Sequence, residues 1–186
     1  MTASPLVPLL ETARLRMRPL GPADVDVVHR LWAERDPRHP PRRRVDDEGH
    51  PSRDEVRDRL TVQAEESLRT GIGLLAIERR DEPGVIGYCG LVVGSASVDE
   101  PEMAFELLRD LHGQGIATEA ARAVVEAARA TGRVRLWSTV RRWNSASARV
   151  LVKAGFRESG RVTPDPEHGD TIWMVRDLGD PSPDGV

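Results

Sequence analysis

The sequence predicts a single α/β domain whose sheet is mostly antiparallel. Strand-like and helical patterns divide it into about seven strands and about four helices. Two consecutive strand-like runs, at 72–80 and 85–93, are joined by Asp-Glu-Pro-Gly, a turn typical of an antiparallel hairpin. There is no internal repeat and no second hydrophobic core. We therefore predict one domain over residues 1–178 and a disordered tail over 179–186.

The N-terminal half predicts one strand followed by two helices. Residues 13–19 alternate apolar and arginine side chains, which is typical of a half-buried strand. Pro22 stands at a favourable first helical position, ahead of apolar residues at helical spacing. The proline-rich and charged segment 37–51 predicts a loop. Ser52 and Glu55 then form a capping-box pattern at the start of the second helix.

The C-terminal half predicts two further helices between strands. A helix begins at Gly115 and ends before Gly132, and a shorter one is capped by Asn144 and ended by Gly155. The predicted strands of this half are 101–108, 134–140, 156–162 and 171–178, the last two forming a hairpin.

Composition limits the function classes. The chain has 186 residues, is 39% hydrophobic and 31% charged, and carries a net charge of −3. This balance gives no reason to expect a nucleic acid or a membrane as partner. The lone cysteine, Cys89, cannot form an internal disulfide and favours a reducing compartment. No signal peptide and no apolar run of about 20 residues is apparent, so we expect a cytoplasmic protein.

The stretch 111–120, Leu-His-Gly-Gln-Gly-Ile-Ala-Thr-Glu-Ala, places two glycines directly before a helix. It is either a flexible connection or an anion-binding helix N-terminus. A P-loop would need a Lys-Ser/Thr pair after the last glycine, and a dinucleotide-binding turn would need glycine at Thr118. Neither pattern fits. Gly113 and Gly115 lack Cβ atoms, so phosphate oxygens can approach the main chain there.

Two motifs match a known family. The pattern Q/R-x-x-G-x-G/A reads here as His112, Gly115 and Ala117, with histidine in the first position. One strand later, residues 144–156 match N-x-x-S-x-x-V-L-x-K-x-G-F. With these motifs the sequence resembles the GNAT superfamily of N-acetyltransferases, and within it the branch of the ribosomal-protein N-terminal acetyltransferases. The resemblance extends from residue 11 to the last strand.

The resemblance implies a central sheet that splays in the middle and binds acetyl-CoA as co-substrate in the opening. It implies that main-chain groups of one strand bind the pantetheine arm and thioester, and that the glycine-loop amides hold the pyrophosphate. It also implies a contact from Asn144, which reads equally as a helix N-cap. The cofactor-binding residues so implied are Phe105, Glu106, Leu107, Gly113, Gln114, Gly115, Ile116, Ala117, Thr118 and Asn144.

Three residues are catalytic candidates. Ser147 follows Asn144 by one helical turn and is a candidate proton donor to the leaving thiolate, or simply a helix serine. Glu102 matches the glutamate of the branch's E-I-G-Y pattern and shares strand parity with Glu106. Asp165 opens the last turn, where it acts on the acceptor amine or only forms the turn. We expect a carboxylate to assist deprotonation or binding of the amine.

Several alternatives stay open. The acceptor is either a protein N-terminal amine or a small-molecule amine. The arginines at 42–44 belong either to a solvated loop or to the entrance of the acceptor site. A non-catalytic module that binds or senses acyl-CoA is the alternative function. The five histidines lack ligand spacing, so no metal site is expected. Cys89 reads as a small buried residue, and the sequence leaves a homodimer open.

Overall fold

The computed structural model describes residues 9–39 and 52–179. In that part of the chain eight strands form one open sheet, in the order β1-β2-β3-β4-β5-β6-β8-β7. All seven predicted strands are present, and the eighth, β1, is too short to produce an alternating pattern. The strands are β1 (Leu10–Glu11), β2 (Leu15–Pro19), β3 (Leu74–Arg79), β4 (Val85–Val92), β5 (Glu102–Leu107), β6 (Arg135–Arg141), β7 (Arg157–Thr163) and β8 (Thr171–Asp177).

Four α-helices lie in the described ranges: α1 (Val25–Ala33), α2 (Arg53–Thr70), α3 (Ile116–Ala130) and α4 (Ser145–Lys153). The predicted caps are present. The Ser52 hydroxyl accepts the Glu55 N–H at 3.2 Å at the start of α2. Gly155, just beyond α4, has the left-handed φ of +86° that favours glycine. Residues 22–24 form a 3₁₀ turn before α1, so Pro22 opens that turn and not the α-helix itself.

The helices cover the two faces of the sheet. On one face, α3 and α4 pack on a core that includes Met17, Val124 and Leu151. On the other face, α1 and α2 pack on β3 and β4 through a second cluster that includes Leu31 and Val56. The sheet is therefore buried on both sides in its central part, as expected for a layered α/β domain.

The sheet opens between β5 and β6. All other neighbouring strands are antiparallel, whereas β5 and β6 are parallel and share one paired position, Glu102 with Trp137. Two more hydrogen bonds close this junction, from Trp137 N–H to the Pro101 carbonyl and from the Ser138 hydroxyl to the Met103 carbonyl, both 2.9 Å. Beyond Met103 the strands diverge, while β5 stays paired with β4 to its end. The predicted splay is thus confirmed.

Two sequence-based expectations concern residues outside the described ranges. One is that the arginines at 42–44 form a solvated loop or part of the acceptor entrance, and the other is that the tail beyond residue 179 is disordered.

Candidate active site

The opening between β5 and β6 forms a cleft of about 1050 Å³. It runs from the glycine loop before α3 to the segment that follows α1. One wall is β5, and the other is formed by β6 and the N-terminal turns of α4. Of the predicted site residues, all line this cleft except Gln114 and Asp165.

The glycine loop presents unpaired amides at the N-terminus of α3. The first helical hydrogen bond runs from Glu119 N–H to the Gly115 carbonyl, at 3.0 Å. The N–H groups of residues 116–118 come earlier in the helix and have no helical acceptor. Gly113 and Gly115 both have a φ of +79°, and a Cβ on Gly113 would meet no atom within 4 Å. The loop is therefore an open concavity of N–H donors that fits an anion.

Gln114 is held from behind the loop and not from the cleft. Its side-chain carbonyl accepts a hydrogen bond from Arg79 at 2.6 Å, and its amide nitrogen donates to the Asp110 carbonyl at 3.3 Å. Its main-chain carbonyl accepts from Arg14 at 3.1 Å. The Gln114 side chain thus shapes the loop without entering the site.

His112 ties the loop to the end of β5. Its Nε2–H donates to the Leu107 carbonyl across 3.0 Å. This histidine stands where the family pattern has arginine or glutamine, and the contact gives it a structural role that leaves the loop amides free.

The register of β5 decides which main-chain groups reach the cleft. Leu108 N–H donates to the Ile86 carbonyl at 3.1 Å, so this is a hydrogen-bonded pair of the antiparallel ladder. The pattern alternates along the strand, so Glu106 also directs its main-chain groups to β4. Phe105 and Leu107 occupy the intervening positions and direct theirs to the cleft. The expectation that the main chain of Glu106 faces the coenzyme site is therefore not met, and only the side chain of Glu106 reaches the cleft.

Glu102 brings a buried carboxylate to the cleft. The residue is 7% exposed, and its carboxylate accepts from Ser95 N–H at 2.5 Å and from the Thr139 hydroxyl at 3.3 Å. No ion pair reaches it from any residue that the structure describes. Gly94 has a φ of +55°, and a Cβ there would lie 2.6 Å from the carboxylate, so this position favours glycine. A buried carboxylate without a cationic partner is a site suited to a bound cation.

Glu106 lies on the same face as Glu102, as predicted, but is already engaged. Arg35, just after α1, donates to it from Nε at 2.7 Å and from a second nitrogen. Tyr88 donates its hydroxyl to the same carboxylate at 2.6 Å. Burial lowers the pKa of Arg35, but the bonds to Glu106 outweigh this effect and raise it overall. Burial, and then the charge of Glu106, raise the pKa of Tyr88 above its ordinary value.

Asn144 caps α4, with its side-chain oxygen accepting the Ser147 N–H at 3.1 Å. The N-cap interpretation of Asn144 is therefore confirmed. Asn144 and Ser147 both line the cleft on the wall opposite β5. Their contacts to a coenzyme and to a leaving thiolate stay predictions.

Asp165 is bound within the turn between β7 and β8. One carboxylate oxygen accepts from the N–H groups of His168 and Glu167, at 2.9 and 3.1 Å, and the other accepts from Arg141 at 2.7 Å. The His168 bond, and then that of Arg141, lower the pKa of Asp165 to about 2. These contacts and its position off the cleft favour the turn-forming interpretation over a role as base.

Comparison with known proteins identifies the family. A family model described as an acetyltransferase (GNAT) domain matches residues 14–157. The chain belongs to the GNAT acetyltransferase family. None of the curated protein sequences matches it.

Solved structures share the GNAT fold of this chain at low identity. A GNAT-family acetyltransferase from Bacillus anthracis is 19% identical, over 91% of this chain and 98% of that one, with a TM-score of 0.73. RimL, a ribosomal L7/L12 alpha-N-protein acetyltransferase solved with coenzyme A, is 16% identical over 91% and 97%, with a TM-score of 0.72. The yncA protein of Salmonella typhimurium, solved with its cofactor acetyl-CoA, is 18% identical over 92% and 99%, with a TM-score of 0.68.

The far end of the GNAT cleft is lined by the segment after α1. His39 packs edge-on against Trp143 with ring centroids 5.0 Å apart, and the Arg38 guanidinium lies 4.2 Å from the same ring. Trp143 is fixed in turn by its indole N–H, which donates to the His168 carbonyl at 2.9 Å. Burial, and then the charge of Arg35, lower the pKa of His39, so this imidazole is neutral at pH 7.

Other chemistries find little support in the part of the GNAT domain that the structure describes. Cys89 is fully buried, as predicted, and burial raises the pKa of its thiol to about 12. Within residues 9–39 and 52–179, no group of three or more His, Cys, Asp or Glu side chains is arranged to hold a metal ion. In the same ranges, no helix is both long and apolar enough to span a bilayer.

Proposed function

We propose that this GNAT protein is an acetyl-CoA-dependent N-acetyltransferase that passes the acetyl group directly to a primary amine. One observation carries the proposal: the glycine loop and the splayed edge of β5 line the same continuous cleft. An anion-binding loop at one end and main-chain donors in the middle match the two parts of acetyl-CoA, its pyrophosphate and its amide-containing arm. The coenzyme A and acetyl-CoA complexes of RimL and yncA support this choice of ligand.

The residues present fit acetyl-CoA. We assign the pyrophosphate to the amides of residues 113–118, with Arg149 and Lys153 on the facing wall of α4 adding positive charge. The cleft-facing main chain of Phe105 and the N–H of Leu107 would bond the pantetheine arm and orient the thioester, while the Leu107 carbonyl already accepts from His112. Acetyl-CoA supplies the acetyl group as an activated thioester. No side-chain nucleophile is then required.

We assign the acceptor ammonium to Glu102. Its buried carboxylate lies in the cleft without an ion-pair partner among the described residues, so a cation bound there would compensate its charge. The carboxylate would hold the amine and accept its proton directly or through one water. Glu106 is less suited to this role because Arg35 and Tyr88 already occupy both of its oxygens.

Ser147 is the proposed proton donor to the departing thiolate. We expect Ser147→Ala to lower kcat about tenfold while the Kd of acetyl-CoA stays unchanged, since the hydroxyl would act only during transfer. Ser145→Ala, on the same helix but outside the cleft, is the control for kcat only, because the Ser145 hydroxyl accepts a hydrogen bond from Arg149 at 3.2 Å. Steady-state kinetics and calorimetry measure the two quantities. Equal turnover of wild type and Ser147→Ala would remove this serine from the mechanism.

The proposed acceptor is a primary amine, and the activity of RimL on a protein α-amine supports an N-terminal amine. A small-molecule amine stays the second option, because the acceptor end of the cleft shares no motif with a known substrate class. We also propose a cytoplasmic location, where acetyl-CoA and free protein N-termini are both available. A homodimer stays a prediction from the sequence.

The decisive experiment measures thiol release from acetyl-CoA in the presence of peptides with free α-amines and of small amines such as polyamines. The matched control for each peptide is its N-acetylated form. Thiol release that requires the free amine would support the proposal. Acetyl-CoA binding with no release for any amine would favour the alternative of an acyl-CoA sensor, and absence of binding would contradict both.

A further inference from the structure

The segment Thr12–Arg14, between β1 and β2, contacts the first turn of α3. The Thr12 hydroxyl donates to Glu119 Oε1 at 2.6 Å, and Arg14 N–H donates to the same oxygen at 3.1 Å. Arg14 Nε donates to Glu119 Oε2 at 2.6 Å. The segment itself is a tight turn, closed by Thr12 N–H bonding the Leu15 carbonyl at 2.9 Å and Leu15 N–H bonding the Thr12 hydroxyl at 3.0 Å.

The Arg14 guanidinium bonds the glycine loop at the same time. Its Nη1 donates to the Gln114 carbonyl at 3.1 Å. Gln114 lies between Gly113 and Gly115, and neither glycine has a Cβ that would restrict the orientation of the Gln114 peptide group. One planar guanidinium thus fixes the loop peptide relative to the helix, which a flexible ammonium could not do with the same geometry.

Glu119 poses an electrostatic problem for an anion site. A carboxylate in the first turn stabilises the helix dipole, but it also repels any anion bound at the same N-terminus. Burial raises the pKa of Glu119, but the bonds from Thr12 and Arg14 outweigh this effect and lower it, so the side chain is ionised at neutral pH. The ion pair with Arg14, at 2.6 Å, is what offsets this charge.

We propose that Arg14 is a positioning residue of the coenzyme site. It fixes the peptide of Gln114 between the two left-handed glycines and cancels the charge of Glu119 beside the bound pyrophosphate. The inference rests on the proposed function only for the identity of the ligand, acetyl-CoA.

The test is calorimetry of acetyl-CoA binding to the full chain. We expect Arg14→Ala to raise the Kd about tenfold, because it removes a charge-assisted bond to the loop and leaves Glu119 unpaired. The double variant with Glu119→Gln is expected to recover part of the loss, since the repelling charge is gone. Arg14→Lys should be intermediate. Arg16→Ala, an exposed arginine of β2 outside this cluster, is the matched control and should bind as wild type does.

A role in folding alone would give a different pattern. Arg14→Ala with an unchanged Kd, or a double variant that binds as weakly as Arg14→Ala, would overturn the inference. Thermal unfolding identifies any variant that has lost its fold. If Arg14→Ala is one of these, Glu119→Gln alone decides the question: binding as tight as wild type or tighter supports charge cancellation, and weaker binding overturns it. A wild type that binds no acetyl-CoA would instead overturn the proposed function and this inference with it.

Discussion

Gly115→Val is expected to abolish measurable acetyl-CoA binding. Gly115 has a φ of +79°, a conformation that costs an L-residue about 1–2 kcal/mol, and a β-branched side chain is among the least tolerant of it. Relief of this strain would rotate the amides that precede α3 out of the anion concavity, and the added methyl groups would obstruct approach to the main chain. We expect the Kd from calorimetry to rise by roughly 100-fold or more.

Gly132→Val is the matched control for this substitution. Gly132 ends the same helix with a φ of +82°, and a Cβ there would meet no atom within 4 Å. The control therefore introduces a similar backbone strain far from the cleft. Both variants should lose about 1–2 kcal/mol of unfolding free energy, but only Gly115→Val should lose the ligand. Unchanged affinity in Gly115→Val would contradict the assignment of the pyrophosphate to this loop.

Glu102→Gln is expected to lower kcat/KM by about 100-fold at pH 7, the usual effect of losing a positioned acid or base. An α-amine titrates near pH 8, so at pH 7 most of the acceptor is protonated and needs the carboxylate. Above pH 8 the acceptor loses its proton to solvent. The ratio of wild-type to variant kcat/KM should therefore fall as pH rises from 7 to 9.

Glu106→Gln is the comparison for Glu102→Gln, because it alters a second carboxylate on the same face of β5. Its principal effect should be on stability, by about 2 kcal/mol, because Arg35 would lose its charged partner while partly buried. If the pH profiles of Glu102→Gln and wild type superimpose, Glu102 is not the group that handles the amine proton. Asp165, or solvent alone, would then be the remaining candidate.

The fold was largely predictable because its signals are local. Alternation and helical spacing located seven of the eight strands and all four helices of the described ranges. Caps such as Ser52 and Asn144 depend on residues three positions apart, so sequence spacing suffices to find them. The conformation of the glycine loop was predictable for the same reason, since two glycines directly before a helix start favour it.

The cluster around Glu106 was not predictable because its members are distant in sequence. Arg35 and Glu106 are separated by 71 residues, and Tyr88 and Glu106 by 18, with no motif connecting them. Tyr88 belongs to a different strand from Glu106, and sequence spacing alone does not connect the two residues. In the folded sheet that strand is the direct neighbour of β5, and the two residues form a cross-strand pair.

The direction of the main-chain groups of β5 could not be predicted from the sequence either. The sequence indicates that residues 105–107 form a strand edge, but whether an N–H faces β4 or the cleft depends on the register with β4. In that register the main-chain groups of Phe105 and Leu107 face the cleft, whereas those of Glu106 face β4 and do not reach the cleft. Gln114 is a similar case, since its side-chain direction depends on Arg79 from β3.

The short pairing between β5 and β6 divides the sheet into two parts, one of five strands and one of three. A sheet bends most readily where its ladder of hydrogen bonds is interrupted, so we expect any bending of this sheet to be concentrated at the pairing of Glu102 with Trp137. A pantetheine arm bonded to the open edge of β5 would occupy main-chain groups that have no strand partner and would restrict this bending. We therefore expect amide hydrogen exchange along the cleft-facing edge of β5 to be slower when acetyl-CoA is bound than in the free protein.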